Sequence, residues 1–235
     1  MKPRRTEAFT LLELLVVIGL VAVLSFFMVS GLLGGGATAA LQSGQATFAN
    51  LIMTARIKAP ATGRKTRILV NTDPAAPERY LRFLVLQSAR QPGSSPTVWD
   101  TVTTVTMPEG VYIMPATLTL ATGLVSNSAE WKRVSDPTAD LVSDLFTGQS
   151  IPVTLEGEST AQNWQGLSFT ANSTLGPLIS GTPKGCVVIA LGARRPPGSY
   201  LAGESPVQLA NPQAVRGLVL SAYGVPALLN ERSAF

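Results

Sequence analysis

The chain has 235 residues, 46% of them hydrophobic and only 14% charged, with a formal net charge of +4. It has no histidine and a single cysteine, Cys186, which excludes Ser-His-Asp and Cys-His catalysis, His-ligated metal sites and an internal disulfide. Half of the net charge sits in the first eight residues, where Lys2, Arg4 and Arg5 face Glu7, so the rest is too weakly basic to argue for a nucleic-acid partner.

The first element is an apolar run from Phe9 to Leu33 whose only charge is Glu13. As a helix rising about 1.5 Å per residue it is long enough for a hydrocarbon core of about 30 Å. Basic residues precede it and the next one is Arg56, so the positive-inside rule expects a cytoplasmic N-terminus and a body outside the membrane. A secretory signal peptide with a cut near Ala37-Thr38-Ala39 is the competing reading. The length of the apolar run and the carboxylate within it oppose that reading. A plain single-pass anchor also leaves Glu13 unexplained.

The segment RRTEAFTLLELLVVIGLVAVL resembles the N-terminal signature of type IV prepilins and type II secretion pseudopilins: a basic leader, a small residue before Phe, and Glu four residues after the Phe. Arg4, Arg5, Phe9, Thr10, Leu11, Leu12 and Glu13 fit, with Lys2 adding to the basic leader. Ala8 stands where the family usually has Gly. The resemblance implies a leader of 1–8 and a cut between Ala8 and Phe9 by a membrane-embedded prepilin peptidase. It also implies N-methylation of Phe9 and an assembly role for Glu13, paired with the α-amine of a neighbouring subunit. The residues themselves also allow Glu13 to favour its own helix N-terminus or its own amine.

Next come Gly34, Gly35 and Gly36, a hinge or a weakened stretch of helix, each costing roughly 1 kcal/mol relative to Ala. Helical patterning resumes in ALQSGQATFANLIMTARIKA. Leu41, Phe48, Ile52, Ala55 and Ala59 fall on one stripe, expected to pack on a sheet of the same domain. Pro60 and Gly63 are expected to end this helix. With Arg56 in its last turn, TARIKAPATGRKTRILVN resembles the helix exit of H-type minor pseudopilins through Ala55, Arg56 and Ala59.

Beyond Thr66 the chain reads as β, with strands expected at 67–71, 80–87, 98–107, 111–114, 151–155, 166–170, 186–191 and 216–228. Turn signals such as TDPAAP, QPGSSP, GTPKG and RRPPG separate them. Residues 124–150 are expected to hold a short helix or insertion, Asp136 acting as N-cap before Pro137. The expected fold class is α+β and pilin-like: a long N-terminal transmembrane helix on a mainly antiparallel β domain. Its parts are the leader 1–8, the transmembrane helix 9–33, a Gly-rich hinge and amphipathic helix 34–60, and a periplasmic β domain 61–235.

The remaining features favour structure over chemistry. Asp136, Asp140 and Asp144 recur every four residues without the spacing of a calcium loop, and a solvated face is expected. Arg194 and Arg195 before two prolines read as an exposed loop. Trp99, Trp131 and Trp164 could stack on sugars, but three scattered tryptophans in a β body are expected in the core. Cys186 sits in an apolar run and reads as a core residue. No spacing pairs two carboxylates, so the expectation is no enzyme, no cofactor and no metal. The family resemblance, together with the lone cysteine, implies a minor pseudopilin or pilin in the inner membrane. Its implied partners are the prepilin peptidase, other pilin or pseudopilin subunits and an inner-membrane assembly platform. Two other functions stay open: a membrane-tethered module binding sugar, peptide or cargo, and a DNA-uptake minor pilin.

Overall fold

The computed structural model of the chain describes 11–91, 97–120, 122–146, 150–178 and 185–235, leaving out the side chains of 11–35 and of 120. The chain divides into two compact units, Met1–Ala39 and Ala40–Phe235. Helix α1 spans Leu11–Thr62, and Gly34 to Gly36 lie within it. Among the described residues no helix is long and apolar enough to cross a membrane. The expected span 9–33 lies where side chains are not described.

The second unit combines the last part of α1 with two antiparallel sheets. The first sheet has the order β3-β2-β1-β6-β5, with β7 also paired to β6. Its strands are β1 (Thr66–Asn71), β2 (Phe83–Ala89), β3 (Trp99–Thr106), β5 (Ile151–Val153), β6 (Gln162–Phe169) and β7 (Leu175–Pro177). The second has the order β11-β10-β8-β4, with β9 paired to β8. Its strands are β4 (Val111–Ile113), β8 (Cys186–Arg194), β9 (Val207–Leu209), β10 (Val215–Leu220) and β11 (Pro226–Leu229).

The predicted stripe is the keel of the domain. Leu41, Phe48, Ile52, Ala55 and Ala59 are all buried, in one cluster with Ile68, Val70, Leu84 and Leu86 of the first sheet and Val187, Ile189 and Leu218 of the second. Small residues let the helix come close: a Cβ on Gly44 would lie 2.8 Å from Val111 Cγ1. One polar side chain interrupts the stripe. Gln45 is 2% exposed, and its Nε2 donates to the carbonyls of Gly217 at 2.6 Å and Leu229 at 2.9 Å. Arg216 Nη1 donates in turn to Gln45 Oε1 at 3.3 Å. The helix thereby holds the β10–β11 hairpin by hydrogen bonds as well as by packing.

Pro60 does not end α1. It lies inside the last turns, and the helix stops at Thr62. Gly63 follows at φ +63°, and Arg64 N–H donates to Ala59 O at 3.0 Å. Proline has no N–H to offer the carbonyl four residues back. That carbonyl, Arg56 O, instead accepts from Ser173 Oγ at 2.8 Å. Because the helix outlasts Pro60, Arg56 is not in the last turn; its Nε donates to Tyr223 O at 2.8 Å.

The strand expected at 80–87 starts only at Phe83. Tyr80 to Arg82 belong to a turn in which Leu81 takes a left-handed φ of 56°. Leu81 N–H donates to Asn71 O and Leu81 O accepts from Ile113 N–H, both at 2.8 Å, so this residue links the end of β1 in the first sheet to the edge strand β4 of the second. The strand expected at 216–228 is two strands, reversing at Ser221 to Val225 around Gly224 at φ +68°. Two three-residue strands, β7 and β9, were not expected. Of the short helix or insertion expected in 124–150, the described residues show a 3₁₀ turn at Ser128–Glu130 and otherwise irregular chain. That segment contributes Leu124, Trp131 and Leu141 to a second core, against Tyr112, Val188 and Ala190 of the second sheet.

Gln45→Leu leaves two carbonyls, one buried and one half-buried, without their donor. It should lower stability by about 2–3 kcal/mol, read as the shift of the urea unfolding midpoint, whereas a Leu at exposed position Gln42 should cost almost nothing.

Candidate functional site

Of the sequence-predicted site residues, Lys2, Arg4, Arg5, Ala8 and Phe9 lie outside the described residues. Glu13 falls within the helical backbone of α1, its side chain outside the described part.

The three aspartates of the 136–144 segment do not share a helical face. Asp136 Oδ1 accepts from Thr138 N–H at 3.0 Å and from Thr138 Oγ1 at 2.6 Å, a local turn rather than a helix cap. These bonds pull its carboxyl below the usual range. Asp140 pairs with Lys132 Nζ at 2.6 Å. Asp144 accepts from Arg133 Nη2 at 2.6 Å and from Cys186 N–H at 2.7 Å. Each carboxylate is committed to its own partner, and among the described residues no cluster could hold a metal ion.

The basic pair is likewise occupied. Arg194 closes β8 and pairs with Glu78. Arg195 Nη1 lies 3.4 Å from Glu204 Oε2 and donates to Ser205 O at 3.2 Å, with the guanidinium 5.5 Å from the Tyr200 ring centre. These contacts tie two loops together and leave no bare cationic stripe at this position.

Cys186 is buried in β8. Burial pushes its thiol up to about 11, and the nearby Asp144 carboxylate acts in the same direction. Trp131 and Trp164 are core residues at 2% and 0% exposure, as expected. Trp99 is not. It stands half-buried at the start of β3, and the Arg67 guanidinium lies over its ring at 4.2 Å.

The Arg67–Trp99 pair is the feature that sequence reasoning missed. Arg67 is the second residue of β1, the central strand of the first sheet, opposite Gln87 on β2 and Ser168 on β6. Gln87 pairs in turn with Thr101 on β3, and Ser168 with Gly176 on β7. A polar row, Thr101–Gln87–Arg67–Ser168–Gly176, therefore crosses the first sheet. Neighbouring residues Ile68 and Val70 point the other way, toward α1. Beside the row is a cavity of about 470 Å³ lined by Lys65, Arg67, Trp99, Ser168, Thr170 and Gly176, among others. The available signal was the two-residue spacing of Lys65 and Arg67 in GRKTRILVN, which puts two cations on one strand face.

No protein-family model matches the chain, and neither a curated protein nor a solved structure is similar to it.

Alkylation of Cys186 by iodoacetamide at pH 8.5 should be about a hundredfold slower in the native protein than in urea, because a raised thiol pKa leaves little thiolate. Comparable rates, followed by mass spectrometry, would show that the thiol is reactive in the fold.

Proposed function

We propose that the chain is a pilin-like structural subunit, a minor pseudopilin, anchored in the inner membrane and assembled into a type II secretion pseudopilus or a type IV pilus-like filament. The observation that carries this reading is the conjunction at the N-terminus: Lys2, Arg4 and Arg5, then the Ala8-Phe9 junction, then Glu13 as the single charge in an apolar run to Leu33. The mixed architecture supports it too, since a long N-terminal helix whose later part docks by a stripe on antiparallel sheets suits an anchored subunit with an outer domain.

In this reading prepilin peptidase cuts after Ala8 and methylates Phe9. The freed α-amine, with an ordinary pKa near 7.7–8.0, is cationic at neutral pH. A carboxylate alone in lipid costs roughly 3 kcal/mol on insertion scales. Pairing Glu13 with the amine of an adjacent subunit offsets that cost, and a slip of axial register leaves both charges unpaired. The helix gives the filament its core, and the β domain faces the periplasm. No step of this function needs a catalytic residue or a cofactor in the β domain.

Glu13→Val should still insert and be cut, with a β domain as stable as the parent's, yet be missing from sheared filaments and from subunit crosslinks. Glu13→Asp should retain part of the assembly. Recovery of Glu13→Val in filaments at the parental level would contradict the pairing.

A further inference from the structure

Among the described residues, Arg67 is the one deeply buried guanidinium without a carboxylate partner. It is 9% exposed, and burial pushes its pKa down to about 10, so it remains cationic at neutral pH. Among the described residues no carboxylate forms an ion pair with it. Its recorded hydrogen bond is Nε to Gln87 Oε1, at 2.8 Å. Other arginines are spent differently. Arg79, Arg90, Arg133, Arg194 and Arg195 each pair with an acid. Arg56, Arg82 and Arg232 donate to backbone carbonyls, and Arg216, which also lacks an acid, is only half-buried and donates to Gln45 and Asn230. The internal segments outside the described residues are 92–96, 121, 147–149 and 179–184, and they contain no Asp or Glu. They cannot supply the missing negative charge.

The guanidinium is also held in place. Gln87 fixes the Nε edge, and the Trp99 ring covers one face at 4.2 Å. Gln87 is itself steadied by donating to Thr101 Oγ1 at 3.4 Å. That arrangement leaves the two Nη groups, a planar fork suited to a carboxylate, beside a cavity of about 470 Å³. A space of this size takes a small organic molecule and not merely an ion. Lys65 at the rim is exposed and adds a second cation. Thr170 and Ser168 bring hydroxyls to the wall, and Gly176 keeps it open where a Cβ would press on Ser168 Oγ at 3.1 Å.

We propose that this cavity, on the face of the first sheet turned away from α1, is a carboxylate-binding site in which the Arg67 fork holds the ligand's carboxylate. Lys65 draws the anion in, and Trp99 and Gln87 position Arg67. One buried positive charge calls for one negative charge, which favours a carboxylate over a dianionic phosphate or sulfate. The carboxylate belongs either to an acidic sugar or to an aliphatic organic acid; both present the same planar anion.

The test uses the full-length protein in detergent micelles, labelled with 5-fluorotryptophan, its ¹⁹F signals assigned through Trp99→Phe. Sodium galacturonate, sodium butyrate and sodium sulfate are added at constant ionic strength. One or both carboxylates should move the Trp99 signal saturably with a Kd on the order of 1 mM. The signals of Trp131 and Trp164 should stay fixed, and sulfate should do nothing. Preference for galacturonate identifies an acidic sugar as the source, and preference for butyrate an aliphatic acid. Arg67→Met removes an unpaired buried charge, so it should keep or raise the melting temperature while abolishing the shift. Lys65→Gln, at an exposed position that folding does not need, should weaken binding about threefold, in keeping with a screened rim charge. The proposal fails if neither carboxylate gives a saturable shift, if sulfate binds equally well, or if both variants bind like the parent.

Discussion

A single helix carries two unlike stretches, and the packing of the domain depends on the second. Its first part is an apolar run in which Glu13 is the only charge. Its last part carries a stripe from Leu41 to Ala59 that closes the core between residues of both sheets. The stripe cannot shift by a turn without cost. Ala55 and Ala59 are completely buried, Gly44 meets Val111, and Gln45 sits where two carbonyls of the β10–β11 hairpin need a donor. The docked part of α1 is therefore fixed in register by hydrogen bonding as well as by shape. Apolar burial alone, at about 25 cal/mol per Å², does not specify register so sharply.

Much of the domain is held by side chains that answer stranded backbone groups. Ser173 covers the carbonyl that Pro60 leaves open. Thr66 Oγ1 donates to Ala55 O at 3.0 Å, binding the end of the helix to the start of β1. Asp144 takes the N–H of Cys186 at the head of β8, and Ser143 Oγ takes that of Val188 at 2.9 Å. These bonds explain how a chain with many short strands and long excursions leaves few buried polar groups unmet. The 136–144 aspartates are used in the same way: each is already a structural acceptor or ion-pair partner.

The sequence was most informative where periodicity was strong. The helical stripe stands out because five apolar residues recur at helical spacing, and β1, β3, β4 and β5 because they are β-branched or aromatic runs between turn signals. Strands β7 and β9 were missed because Leu175–Pro177 has no β-branched or aromatic residue and Val207–Leu209 only one, whereas the equally short β4 and β5 each have two or more. Pro60 misled because its cost depends on whether another group rescues the freed carbonyl, and the rescuer, Ser173, is 117 residues away. The Tyr80–Arg82 segment misled because its alternation looks extended, whereas Leu81 turns to bridge the sheets. Arg67 was hidden for a related reason. Its importance lies in what does not face it, and a missing carboxylate is visible only once Gln87, Ser168 and Trp99 are placed around it.

The proposed subunit role rests on the start of the chain, where an acid in an apolar run calls for a cation and proteolysis at Ala8-Phe9 would create one. The proposed carboxylate site rests instead on Arg67, Trp99 and Gln87 of the first sheet, and does not depend on how the start of the chain is read. Intact-mass analysis with N-terminal sequencing of the protein recovered from membranes tests the central claim most directly. The account predicts loss of residues 1–8, a chain beginning at Phe9, and the mass of one added methyl group. An intact Met1, or a chain beginning at Ala40, would contradict it.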